Sequence, residues 1–154
     1  MLYIIRDIHN KKIIHRDLKP ANFMLNNTRV TIIDFGLSKL YELNHKHICK
    51  KKTKSITGNL LFCSPYVQIH IEPSRRDDLI SLGYCFMYLI KRSLPWTIST
   101  IHKKLSFDNY TIYNYTSQCA FLFYYFKYCF DLEFDDSPDY SMLIHLIKQY
   151  PITT

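Results

Sequence analysis

The sequence predicts an α+β fold, mainly helical, with short β-hairpins gathered around one loop. Three segments are apolar over helical lengths: Asp78 to Ile90, Cys119 to Phe130 and Tyr140 to Gln149. Two short runs, Phe23 to Leu25 and Val30 to Ile33, flank an Asn26-Asn27 turn and read as a hairpin. The chain has 154 residues, 47% apolar and 21% charged, which suits one buried core and excludes a disordered chain.

Taken in order, Leu2, Ile5, Ile8 and His9 have helical spacing, so a helix is expected to run to about Asn10 and to close over Asn10-Lys11-Lys12. Ile13-Ile14 reads as a short strand leading into the loop that begins at His15. The stretch from Leu37 to Arg76 is polar and basic with little periodicity, and a loop that long inside a compact domain is expected to be functional. Asp78 to Ile90 is the expected central helix. In the last helix Tyr140, Leu143, Ile144 and Ile147 form an apolar stripe that reads as core packing. The apolar runs are too short to span a bilayer, so no membrane association is expected. Arg6 and Asp7, close to Met1, argue against a signal peptide. The five cysteines are odd in number and lack metal spacing, which points to reduced thiols in cytoplasm or nucleus.

The chemistry is concentrated in His15-Arg16-Asp17-Leu18-Lys19-Pro20-Ala21-Asn22 and in Asp34-Phe35-Gly36. Phosphoryl transfer asks a protein for alignment and for positive charge around a triphosphate, and for little covalent chemistry. Asp17 has the character of a base for a substrate hydroxyl. Lys19, two residues on, would point the same way in an extended loop, toward the γ-phosphate. Asn22 and Asp34 offer one amide oxygen and one carboxylate, a plausible complement for Mg²⁺, which takes few protein ligands beside water and phosphate. Val30 to Ile33 would deliver Asp34 to the cleft, and Gly36 would let the chain turn sharply after Phe35. An isolated Asp-Phe-Gly is a common accident, but its combination with the longer string at this spacing is specific.

These strings resemble the C-terminal lobe of eukaryotic protein kinases, and Lys19 after Asp17 resembles the serine/threonine type. Further on, Thr57-Gly58, Ser64, Glu72, Ser74-Arg75-Arg76-Asp77-Asp78-Leu79, Ser81-Leu82-Gly83-Tyr84, Met87-Tyr88, Ser93-Leu94-Pro95-Trp96 and Phe134-Asp135-Asp136-Ser137-Pro138-Asp139-Tyr140 look like the casein kinase 1 family in order and register. The resemblance covers nearly the whole chain and is weakest between Thr97 and Gln118. It implies an ATP- and Mg²⁺-dependent protein serine/threonine kinase, with residues 1–154 as part of a kinase domain, a catalytic loop over 15–22 and an activation segment over 34–76. It implies Asp17 as catalytic base, Lys19 as γ-phosphate ligand, and Asn22 and Asp34 as metal ligands. It places Met24 under the adenine and Ile33 beside the nucleotide, with His15 and Arg16 as scaffold. It puts Thr57 in hydrogen-bond contact near Asp17 and Lys19, and Gly58, Arg75 and Arg76 in the substrate loop and its supports. Asp78 would accept backbone hydrogen bonds from the catalytic loop and cap the central helix, worth about 1 kcal/mol.

The three glycines, Gly36, Gly58 and Gly83, all fall inside these motifs. None is left for a glycine-rich loop over ATP, so the N-terminal β-rich lobe is expected to be absent. Negligible activity is expected of this chain alone, with a missing lobe or partner chain needed to complete it. Exposed Met24, Ile33 and Phe35 would form an apolar patch inviting aggregation or a partner. Where the resemblance implies a basic residue between Gly58 and Ser64, this sequence has apolar Leu60, Leu61 and Phe62, and Ala21 stands where an acidic residue is expected. The segment after Trp96 is shorter than the family's. The net charge is +7, with Lys46, Lys50, Lys51, Lys52, Lys54, Arg75, Arg76, Lys103 and Lys104 read as a basic surface favouring acidic or phosphorylated protein substrates. A nucleic-acid partner is not expected, since no aromatic is interleaved with Lys50–Lys54. The competing reading is a non-catalytic interaction module that keeps the lobe for binding.

Overall fold

A computed structural model describes residues 1–106, 114–116 and 119–149. Helix α1 (Leu2–Asn10) buries Leu2, Ile5, Ile8 and His9, the face that the spacing predicts. Strand β1 (Ile13–Ile14) pairs antiparallel with β4 (Lys39–Leu40). Strands β2 (Phe23–Asn26) and β3 (Arg29–Ile32) form the expected hairpin, with Phe23 opposite Ile32 and Asn26 opposite Arg29. Asn27 takes the left-handed conformation in the turn, φ 52°, which asparagine tolerates. The long stretch after Leu37 is more structured than its lack of periodicity suggests. Besides β4 it holds a hairpin of β5 (Glu42–Leu43) and β6 (Lys46–His47), a bridge between Lys52 and Ile71, and the short helix α2 (Pro65–Gln68). Two-residue ladders have no period to detect.

Helix α3 (Arg75–Lys91) is the centre of the molecule, and its residues from Arg75 to Cys85 are all buried. It begins three residues before the expected Asp78. Ser74 is its N-cap, and the Asp77 carboxylate reaches back to accept from the Ser74 amide at 2.7 Å. Asp78 is therefore not the cap but lies inside the first turn, its carboxylate turned to other donors. Ser64, the cap of α2, accepts from the Val67 amide at 3.1 Å and also donates to Asp77, which ties the two helices together.

Helices α4 (Ala120–Asp131) and α5 (Tyr140–Gln149) complete the core. Leu79, Leu82 and Met87 of α3, Phe121, Tyr125 and Phe126 of α4 and Leu143 of α5 are fully buried or nearly so. Ile144 and Ile147 pack on this core from the predicted stripe. Gly83 allows α3 and α4 to approach closely, because a Cβ there would lie 2.6 Å from the Phe126 ring. After Trp96 the chain runs in tight turns over Ile98–Ser106, kinked at Thr100. Residues 107–113, 117 and 118 of the weakly matching stretch lie outside the described residues, as do 150–154. Among the described residues no helix is long and apolar enough to cross a membrane. All five cysteines are free, and burial pushes the Cys85 and Cys129 thiols well up from their ordinary pKa, so neither is a reactive thiolate.

Candidate active site

The loop over residues 15–22, expected from the sequence to be catalytic, leaves β1 and is fixed from below by Asp78. The Asp78 carboxylate accepts the amides of His15 at 2.6 Å and Arg16 at 2.9 Å, and it meets His9 Nε2 at 3.0 Å. His9 in turn contacts the Tyr140 hydroxyl through Nδ1, so α1, α3 and α5 all meet beneath the loop. Arg16 adopts a left-handed φ of 68°, and its side chain donates to the Leu37 carbonyl.

Above this support stands Asp17, 7% exposed. One of its carboxylate oxygens accepts the Asn59 amide at 2.7 Å, and the other accepts Lys19 Nζ at 2.6 Å and Asn22 Nδ2 at 3.3 Å. Asn22 Nδ2 also donates to the Asp17 carbonyl at 2.9 Å. The expected contact of the Thr57 hydroxyl with Asp17 or Lys19 is not made. Its place is taken by the Asn59 main-chain amide, which Gly58 delivers. Gly58 has φ 83°, and a Cβ there would lie 2.2 Å from the Arg16 carbonyl oxygen, so no other residue fits without displacement.

Asp34 is brought to Asn22 by the hairpin. The Ile33 amide donates to the Asn22 carbonyl at 3.0 Å, one step beyond the β2–β3 ladder. His15 then locks this junction to Asp17. Its Nε2 donates to the Ile33 carbonyl at 3.1 Å, its Nδ1 accepts the Asp17 amide at 3.3 Å, and its ring meets Phe35 edge-on at 5.0 Å. The sharp conformation falls on Asp34 itself, φ 65°, and not on Gly36, which has no positive φ. Asp34 is exposed, and Oδ1 makes one long contact, 3.4 Å to the Gly36 amide.

The donor set suits a hard cation. Asn22 Oδ1 carries no hydrogen bond among the described residues, and the Asp34 carboxylate faces solvent. No group of three or more His, Cys, Asp or Glu side chains forms a cage among the described residues, so an ion here would share its coordination with phosphate and water, as Mg²⁺ does. The apolar side of the hairpin next to Asp34 is open. Met24, Ile33 and Phe35 are 55%, 38% and 46% exposed, an apolar face with nothing packed over it among the described residues.

Three cations of the predicted basic surface are not on the surface. Arg75 is buried, donates to the Asp135 carbonyl at 2.8 Å and lies over the Tyr41 ring at 4.4 Å. Arg76 donates to the Leu132 carbonyl at 3.0 Å and lies over Tyr66 at 3.8 Å. Lys104 is buried and donates to the Leu60 and Cys63 carbonyls. All three hold the fold together. Lys50, Lys51, Lys52 and Lys54 remain exposed.

Four further residues support the site in ways the sequence did not assign, although Glu72 and Trp96 stand in its motifs and His9 in the helical spacing. The Asn59 contact is a main-chain amide, and no side chain announces it. His9 stands at a core position of α1, where a polar residue is itself the signal. Glu72 is buried and accepts Lys39 at 2.7 Å with Arg16 at 3.7 Å, joining the activation segment to the catalytic loop. Trp96 donates to the Leu61 carbonyl at 2.9 Å.

Fold and site together have the character of a phosphotransferase lobe. The profile of the protein kinase domain matches residues 1–148, nearly the whole chain, and the chain belongs to that family.

Proposed function

We propose that this chain carries the catalytic half of an ATP- and Mg²⁺-dependent protein serine/threonine kinase of casein kinase 1 type. The observation that carries the proposal is the joining of Asp17, Asn22 and Asp34 by His15 and by the Ile33–Asn22 bond. Mg²⁺ bound by Asn22 Oδ1 and the Asp34 carboxylate would offset phosphate charge and fix the γ-phosphoryl group in line. Lys19 exchanges its bond to Asp17 for one to a γ-phosphate oxygen. That exchange frees a carboxylate oxygen of Asp17 to accept the proton of a serine or threonine hydroxyl, while the Asn59 amide holds the other oxygen in place. The exposed Lys50–Lys54 cluster favours acidic protein substrates. The reduced cysteines suit cytoplasm or nucleus.

The open face at Met24, Ile33 and Phe35 supports a second unit, in cis or in trans, that closes over the adenine. For residues 1–154 alone, transfer from labelled ATP to serine peptides is expected far below the ~1 s⁻¹ lower end for kinases. In an assembly that closes the face, Asp17→Asn is expected to lower turnover by about 10²–10⁴-fold with the fold intact. Wild-type turnover in that variant removes Asp17 as the base.

A further inference from the structure

A polar pocket of about 270 Å³ lies between the end of α1, Tyr41, the start of α3 and the loop before α5. Asn10, Lys12, Tyr41, Arg75, Ser137 and Tyr140 are among its walls. Two of these are cations, and no carboxylate lines the pocket among the described residues. None of these residues takes part in the proposed phosphoryl transfer.

Arg75 is only 9% exposed, yet its hydrogen bonds among the described residues all go to neutral oxygens. Nη2 donates to the Asp135 carbonyl at 2.8 Å, while Nη1 reaches the Tyr41 and Ser137 hydroxyls at 3.3 and 3.4 Å. Its Nε is buried without a partner among the described residues. A buried cation met only by dipoles keeps a strong attraction for an anion. Nη1 stands between two lining hydroxyls, and bonds that long are readily exchanged for a charged acceptor. At the rim Lys12 Nζ, about half exposed, donates to Glu42 at 2.9 Å, an ion pair of small net worth in water. The Ser137 hydroxyl and the Asn10 amide, on exposed residues, add neutral donors.

We propose that this pocket binds a phosphate group, free or carried as a monoester. Two cations suit a dianion better than a single carboxylate, the guanidinium fork matches phosphate oxygens, and the lysine adds a point charge. The ligand takes Lys12 from Glu42 and adds a charged acceptor to Arg75. It then bridges Arg75 of α3, Lys12 just beyond α1 and Ser137 just before α5. His9 and Tyr140 are also in the walls, and their mutual contact backs the Asp78 carboxylate, so occupancy reinforces the support of the loop over residues 15–22. The assignment does not depend on the kinase reading of Asp17.

The test is an amide NMR titration of residues 1–154 with inorganic phosphate and, separately, with capped phosphoserine, each replacing chloride at constant ionic strength. Saturable shifts of the Asn10, Tyr41 and Ser137 amides are expected, with a dissociation constant of about 1 mM or tighter. Tighter binding of phosphoserine assigns the site to a phosphate borne on protein, and equal binding assigns it to the free ion. Lys12→Met is expected to weaken binding at least about tenfold. Ser137→Asp, which sets a carboxylate beside Arg75, is expected to abolish it. Glu42→Gln, which releases Lys12, is expected to tighten it, a gain that a damaged fold does not give. Shifts that fail to saturate, or an affinity unchanged in both Lys12→Met and Glu42→Gln, overturn the site.

Discussion

Asp78 makes the catalytic loop a fixed object. A loop carrying left-handed Arg16 would relax if its amides met water, but two of them end on one buried carboxylate that also holds His9. Asp78→Ala leaves these donors buried and without their acceptor, at about 1–3 kcal/mol for each. A marked fall in the urea midpoint is expected, and an unchanged midpoint contradicts this role. Asp17 differs in kind. One of its oxygens is held by Lys19, which a phosphate would draw away, so its replacement is expected to be felt in turnover more than in stability. The chain's own chemistry thus separates into a rigid support below the loop and exchangeable bonds above it.

At the scale of elements, the main chain from 59 to 63 depends on a buried cation, which donates to the Leu60 and Cys63 carbonyls. Burial lowers the Lys104 pKa from 10.5 to about 8, against the smaller opposing influence of Cys63. Between those values the unfolded chain binds more protons at this position than the folded one, so stability rises with pH there. Urea unfolding of wild type and Lys104→Met at pH 7 to pH 10.5 is expected to show the wild type gaining on the variant above about pH 8. A difference that stays flat with pH contradicts it. Lys104 also shows why part of the molecule was hidden from the sequence. The β2–β3 hairpin and the α5 stripe are local, with partners a few residues away, and periodicity and turn chemistry reveal them. Arg75, Arg76 and Lys104 look like surface charge because the carbonyls and rings that receive them lie far along the chain, at Asp135, Leu132, Cys63 and Tyr66. The start of α3 moved for a related reason: the run of charged residues before Leu79 reads as loop until Ser74 and Asp77 are seen to cap it. At the site, Asp17, Lys19, Asn22 and Asp34 were legible as side chains at fixed spacing, whereas the Asn59 amide and the left-handed turn at Asp34 belong to the backbone.

At the scale of the whole molecule, the fold is a helical body with one chemically equipped face. That face has two halves of different character. On one side a groove lined by Lys19, Asn59, Leu61 and Trp96 lies next to Asp17, and on the other Met24, Ile33 and Phe35 are uncovered. Arg75, Arg76 and Lys104 are spent inside the fold, and the field outside is that of the exposed lysines, among them Lys46, Lys50, Lys51, Lys52, Lys54 and Lys103. In the proposed function, Asn22 and Asp34 bind a metal–nucleotide complex next to Asp17. Paramagnetic Mn²⁺ in place of Mg²⁺ tests it directly, because it broadens NMR signals near the bound ion even when affinity is weak. With ATP present, selective loss of the amide signals of Asn22 and of Ile33 to Gly36 is predicted, and Asp34→Asn, which removes the charge while asparagine tolerates the left-handed φ of 65°, is predicted to restore them. Broadening that is absent from these residues, or that persists unchanged in Asp34→Asn, contradicts this assignment.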